Sequence, residues 1–373
     1  MNNCTSGSIY TGRVGLQQRV LPSYRVPFFD HLADTCPGGL SVFTGEPRSD
    51  ESIMSTMDLQ RAALTRAENR HFLRGKAYLC RQPNILNWLE DWDPDVLILE
   101  ANPRYPDNWR AQRWMRNRNR PVIGWGLGAV SAAGLTGVLR RAVRSGYLGQ
   151  FDALITYSTH GAELYRAANF PPDRIFVAPN AVVSRSGKPA ARRDEEKKEP
   201  VVLFVGRLQA RKRIDVLLRV CADISQPMQL WVVGDGPERA GLEALAAEMF
   251  PSAHFFGTRQ GVELDELFSR ADLFVLPGTG GLAVQQAMAA GLPVIVAEGD
   301  GTQQDLVSPA NGWLVPARDT LALQMALEEA LSNRARLRIM GSESLKIVRD
   351  SVNIETMVEV FHAAMCSAGR MER

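Results

Sequence analysis

The chain has 373 residues, room for two or three domains at roughly 150 residues each, which excludes a single small binding module. Hydrophobic residues are 45% and charged residues 23% of the chain, a globular balance that excludes disorder and collagen-like repeats. A formal net charge of +2 carries no basic signature, so no nucleic-acid partner is expected. The five cysteines (Cys4, Cys36, Cys80, Cys221, Cys366) are scattered, odd in number and never in a CxxC pair, which argues against a disulfide framework or zinc ribbon and fits a reducing cytosol. The histidines show no HxxxH or HExxH spacing, so no metal site is expected. No apolar run approaches about 18 residues, and the start MNNCTSGSIYTGR lacks the regions of a signal peptide. The expectation is a cytoplasmic protein.

Short β-branched and apolar runs alternate with helical stretches, as in parallel βαβ units. The first series predicts strands at 13–20, 40–43, 95–99, 121–125, 153–157 and 174–178. The second predicts them at 201–205, 229–233, 253–256, 273–276 and 293–297. Between the series, SRSGKPAARRDEEKKEP at 184–200 has almost no large apolar side chain and reads as a linker. The expected division is a first domain of 1–183 and a second of 201–352. Ile354, Met357, Val358, Phe361 and Met365 recur at helical spacing, and that terminal helix, about 353–373, is assigned to the first domain. Ligands of such sheets bind at the carboxyl ends of the strands, so the post-strand loops are where chemistry is sought.

Residues 201–218 read VVLFVGRLQARKRIDVLL. Gly206 lets backbone approach a phosphate, Arg207 offers a planar fork and Lys212 a mobile point charge, a pair suited to a diphosphate. A solvated basic helix start is the alternative. VVGDGPERAG at 232–241 forms a turn with Pro237 at a first helical position, but its glycine spacing is not that of a dinucleotide fingerprint. In LFVLPGTGGLAVQQ, from 273, a strand runs into Gly278, Gly280 and Gly281 and a helix begins near Leu282. Its free N–H groups suit a phosphate, worth about 0.3–1 kcal/mol per anion at an exposed helix start; close packing of the turn is the alternative.

Taken in order, VGRL with Lys212, GDGP at 234–237, FFG at 255–257, LPG at 276–278, QAMAAGLPVI at 286–295 and NGWLVP at 311–316 make 201–332 resemble the nucleotide-binding half of the retaining GT-B glycosyltransferases, specifically glycosyltransferase family 4 (glycosyl transferases group 1). QRVLPSYRVPFF at 18–29, ILEANPR at 98–104, GWGLG at 124–128 and APNAV at 178–182 resemble the first half more weakly. The resemblance implies an α/β fold of two Rossmann-like doubly wound domains facing across a cleft. It implies transfer of a hexosyl-type sugar from a nucleotide-diphosphate sugar to a glycan, glycolipid or other hydroxyl acceptor, with retention and without a metal or other cofactor.

By the same resemblance Arg207 and Lys212 clamp the donor diphosphate, with Gly206, Gly280, Gly281, Leu282 and Ala283 around its phosphates. Two family glutamates separated by seven residues align with Gly278 and Gln286. Gln286 still offers a donor and an acceptor to ribose hydroxyls, whereas Gly278 offers backbone alone and leaves the sugar to Thr279 and the following glycines. These losses motivate the alternative of a catalytically inactive nucleotide-sugar-binding subunit. A histidine that many members carry after the 121–125 strand is replaced by Gly126 or Leu127, leaving His160 as the candidate substrate contact, with a helix-start or surface histidine as the alternative. Glu100 is the expected catalytic or acceptor-binding acid, with pairing to Arg104 as the alternative; Asp305 is a donor contact and Arg25 a secondary phosphate ligand.

From Asn108 to Phe151 there are eight arginines and no acid, interleaved with Trp109, Trp114 and Trp125. Arg110, Arg113 and Trp114 share a helical face, so peripheral contact with anionic lipid at the inner face of a membrane is expected. Solvated helix faces are the alternative.

Overall fold

The computed structural model describes residues 9–51, 53–128, 143–185 and 199–370. The chain divides into two compact units, Met1–Val182 with Ile354–Arg373, and Val183–Asn353. Most of the expected linker, 186–198, lies outside the described residues.

The first unit holds a sheet of seven parallel strands: β1 (Val14–Val20), β2 (Leu40–Gly45), β3 (Ala63–Arg66), β6 (Val96–Glu100), β7 (Val122–Gly126), β8 (Ala153–Thr156) and β9 (Ile175–Val177), ordered β3-β2-β1-β6-β7-β8-β9. A separate antiparallel ribbon pairs β4 (Arg70–Phe72) with β5 (Leu79–Arg81). Successive side chains of a strand face opposite sides, and β6 shows the consequence: Val96 and Ile98 join one core, Leu97 and Leu99 the other. The second unit holds β10 (Val201–Val205), β11 (Gln229–Val233), β12 (Ala253–Gly257), β13 (Leu273–Leu276), β14 (Val294–Ala297) and β15 (Gly312–Val315), all parallel and ordered β12-β11-β10-β13-β14-β15. Starting each sheet at its central first strand and stepping outward both ways is the Rossmann arrangement. VVLFV of β10 is buried at every position, as expected where helices cover both faces of a parallel sheet.

Four features depart from the expected strands. β3, the β4–β5 ribbon and β15 were not among them, and the strand expected at 174–178 is the shorter β9, preceded by a 3-10 turn at Pro172–Arg174. Cys36, Cys80, Cys221 and Cys366 are buried and stand outside any disulfide.

The terminal helix, Ile354–Gly369, packs on the first unit and completes its core. Phe361 meets the rings of Phe28 at 4.9 Å and Trp125 at 5.0 Å, and truncating such a ring costs about 3–5 kcal/mol. Next to it, His362 Nδ1 accepts the N–H of Tyr10 at 3.0 Å, and its Nε2 lies 2.9 Å from the Thr35 hydroxyl. Because Nδ1 must stay unprotonated to accept, the neutral ring is the folded form. Burial, with the nearby His31 charge, holds its pKa below the ordinary 6.5.

A histidine kept neutral in the folded state gains protons on unfolding. Its stabilising contribution is therefore complete above the ordinary imidazole pKa and is lost as pH falls through the lowered native value. Thermal melts across that window should show the melting temperature falling with acid, and His362→Gln should flatten the dependence.

Candidate functional site

In the second unit, four post-strand loops meet at the carboxyl edge of β10, β11, β13 and β14. Backbone hydrogen bonds join them: Gly206 N–H to Val233 O at 2.9 Å, Leu208 N–H to Asp235 O at 2.9 Å and Thr279 N–H to Arg211 O at 3.1 Å. The buried Gln303 donates its amide N–H to Gly280 O at 2.8 Å, tying in the loop after β14. Arg211 adds a guanidinium bond to the Thr279 hydroxyl at 3.3 Å.

Lys212 ends the 3-10 turn Ala210–Lys212, and its half-buried side chain lies over the glycine turn after β13. A Cβ built on Gly280 would stand 2.3 Å from Lys212 Nζ, so a side chain there would push the ammonium aside, and Gly280 adopts φ +146°, a backbone that favours glycine. Among the described residues Lys212 has no carboxylate partner. Burial, with the neighbouring Arg211 charge, lowers its pKa to about 8. A desolvated ammonium without an anion is costly to keep charged, and the group facing it is the start of the helix Leu282–Ala289, whose N-cap, Gly281, supplies no capping side chain. Amine, glycine turn and uncapped helix start together form a pocket edge that favours an anion.

Residues 280–283 are half-buried at this edge. Arg207 is exposed on the β11 side of the same loop, where its charge helps hold Asp235 below the usual carboxylate range, after the Gly236 N–H and the Arg239 guanidinium. Gln286, Thr279 and Asp305 are exposed. Gly278 is packed so tightly that a Cβ would lie 2.2 Å from Arg211 O and 2.7 Å from the Lys212 carbonyl carbon. The position aligned with the first family glutamate therefore has no space for any side chain.

The first-unit candidates are dispersed. Glu100, at the end of β6, accepts the Arg19 N–H at 3.0 Å, and no pairing with Arg104 forms; burial raises its pKa against that opposing bond. Arg25 does not reach an open phosphate position. It is 5% exposed, its guanidinium 4.9 Å from the Trp125 ring and 5.2 Å from that of Tyr157, with one N–H on Met357 Sδ at 3.8 Å. Those aromatic faces come from distant strands, which is why the local motif misled. His160 stands exposed in the first turn of the helix Thr159–Ala167, 3.8 Å from Glu163.

The expected lipid face on the helix Pro106–Arg116 also changes. Trp114 and Trp125 are buried in the cores; Arg110 pairs with Asp107, Arg120 with Asp93 and Arg116 with Gln150, while Arg118 stacks on Trp114. Arg140 and Arg141 lie outside the described residues. No described helix is long and apolar enough to cross a membrane, and no cluster of His, Cys, Asp and Glu among the described residues has the arrangement of a metal site.

Residues 188–346 match the family described as Glycosyl transferases group 1. A GDP-mannose-dependent alpha-mannosyltransferase of Mycobacterium tuberculosis is 41% identical over 122 residues, covering 32% of this chain and 30% of that protein. A D-inositol 3-phosphate glycosyltransferase of Nocardia farcinica is 34% identical over 201 residues, covering 48% and 44%. The chain thus spans less than half the length of either curated relative. Among solved structures, sucrose-phosphate synthase of Thermosynechococcus elongatus superposes with a TM-score of 0.70 at 20% identity, covering 93% of this chain and 96% of the other. Anabaena Alr3699/HepE in complex with UDP gives 0.71 at 14% identity, covering 95% and 99%. The fold is GT-B, with two Rossmann-like domains. These likenesses support a GT-B glycosyltransferase.

Restoring the carboxylate should fail. Gly278→Glu is expected to lower stability by about 1–3 kcal/mol or more through overpacking against the 211–212 backbone, read as a drop in melting temperature with no gain in any sugar-transfer activity.

Proposed function

We propose that the protein moves a hexosyl-type sugar from a nucleotide-diphosphate sugar to a hydroxyl on a glycan or lipid-linked acceptor, with retention and without a metal. The observation that carries this reading is the Lys212 ammonium, without a carboxylate partner among the described residues, set over the Gly280 turn at an uncapped helix start. As the bond from sugar to diphosphate breaks and the bond to the acceptor oxygen forms, the acceptor proton is released and negative charge collects on the leaving diphosphate. Lys212 and the backbone N–H groups at 281–283 stabilise that charge, and Arg207 adds a second cation, in the place a divalent ion would take. Gln286 addresses the ribose, Thr279, Gly280, Gly281 and Asp305 the donor sugar, and His160 the substrate. Glu100, with its raised pKa, is the proposed acid of the acceptor side. Support for a hexosyl donor comes from the GDP-mannose-dependent relative, and for a nucleotide diphosphate from the UDP complex of a structural neighbour. The proposed location is the cytoplasm, at the inner face of a membrane.

Thermal-shift titration with UDP, GDP and ADP should identify one diphosphate that stabilises the protein. Lys212→Ala should abolish that shift and lower turnover by roughly a hundredfold or more. An unchanged response in this variant would overturn the assignment. A diphosphate shift with no transfer from any of the matching sugars would instead favour the inactive donor-binding subunit, for which Gly278 and Gln286 are the argument.

Two further outcomes are expected. Diphosphate affinity should fall as pH rises through about 8, because Lys212 loses its charge there, and Lys212→Ala should remove that fall. Chelation with EDTA should leave turnover unchanged, and product NMR should show the donor's anomeric configuration kept.

A further inference from the structure

The β4–β5 ribbon pairs with neither parallel sheet. Its register sets Arg70 opposite Arg81, His71 opposite Cys80 and Phe72 opposite Leu79. Strand alternation then puts Arg70, Phe72, Leu79 and Arg81 on one face and His71 and Cys80 on the other. The second face is anchored: Cys80 is buried with its N–H on Arg104 O at 3.1 Å, and His71 Nδ1 lies 2.9 Å from the Tyr78 hydroxyl. The first face is bare, with Phe72 at 47% exposure and Leu79 at 37%, and Leu73 beyond them at 65%.

Leu73 also holds φ +60°. A left-handed leucine costs about 1–2 kcal/mol where glycine costs nothing. Local folding therefore gives no reason for a large apolar residue at this exposed tip.

The charges around the ribbon complete the pattern. Arg70, Arg74, Arg81 and Arg104 are exposed around it, and Arg110 shares the buried Asp107 with Arg81. Against these arginines stand Glu68, paired with Arg70, and Asp107. At about 3.3 Å per residue, Arg70 and Arg81 sit roughly 7 Å behind Phe72 and Leu79. That offset matches apolar side chains buried about 5–10 Å below a headgroup layer that basic residues contact.

We propose that the β4–β5 ribbon docks the protein on an anionic membrane, with Phe72, Leu73 and Leu79 entering the acyl boundary and Arg70, Arg74 and Arg81 meeting lipid phosphates. The inference rests on the membrane-side location proposed above and assigns it to this ribbon in place of the helix Pro106–Arg116.

Flotation of the full chain with phosphatidylcholine vesicles, with and without phosphatidylglycerol, tests it. Binding is expected only with phosphatidylglycerol, weakening with salt, and about tenfold weaker for Leu73→Gly and for Phe72→Ser. Leu73→Gly relieves the strained backbone, so its melting temperature should hold or rise while its vesicle binding falls, which separates a lost contact from a lost fold. If both variants float like the wild type, the ribbon is not the docking element and the membrane-side location survives. If the wild type does not float at low salt, both fall, and the nucleoside-diphosphate response still judges the sugar-transfer reading by itself.

Discussion

A half-buried ammonium without an anion is costly to keep charged, and the loops at the carboxyl edge of the second sheet hold Lys212 in that position. Lys212 is held in place because its own loop is bonded to the loops after β11 and β13, and because Gly280 has no side chain to displace it. The bonds from Thr279 N–H to Arg211 O and from the Gln303 amide to Gly280 O hold the turn that precedes the helix start at Leu282. Charge, backbone donors and missing side chains thus form one device. The absence of a carboxylate at 278 is part of it, since the loop that would carry one lies against the backbone of the residue that supplies the ammonium.

Much of this was legible in the residues. Apolar runs such as VVLFV and LFVL read as buried parallel strands because they are short, rich in β-branched and aromatic residues and bounded by glycine or proline, and glycines after them mark turns. The order of those motifs also pointed to the loop that carries Lys212. What the residues did not disclose depends on partners far away in the chain. Arg25 reads as a phosphate ligand in LPSYRVPFF, yet the rings of Trp125 and Tyr157 enclose it. Glu100 reads as a free acid beside Arg104, yet its partner is the Arg19 backbone.

The short strands were hidden for a different reason. Arg-His-Phe and Leu-Cys-Arg are three residues each, too brief to show a period of two, and their outward face carries arginine and apolar side chains together. Such a face has neither the polarity of a solvated strand nor the burial of a core strand. It became visible only when the register of β4 and β5 put Phe72 beside Leu79.

The helix Ile354–Gly369 belongs to the first unit although all of the second unit precedes it in the chain. During synthesis the second sheet can close as soon as its own strands leave the ribosome. The first must wait, with Phe28 and Trp125 uncovered, until Phe361 emerges some hundred and eighty residues after Val182. The unit made first is therefore the unit finished last, and its core stays open while the whole of the second unit is being made.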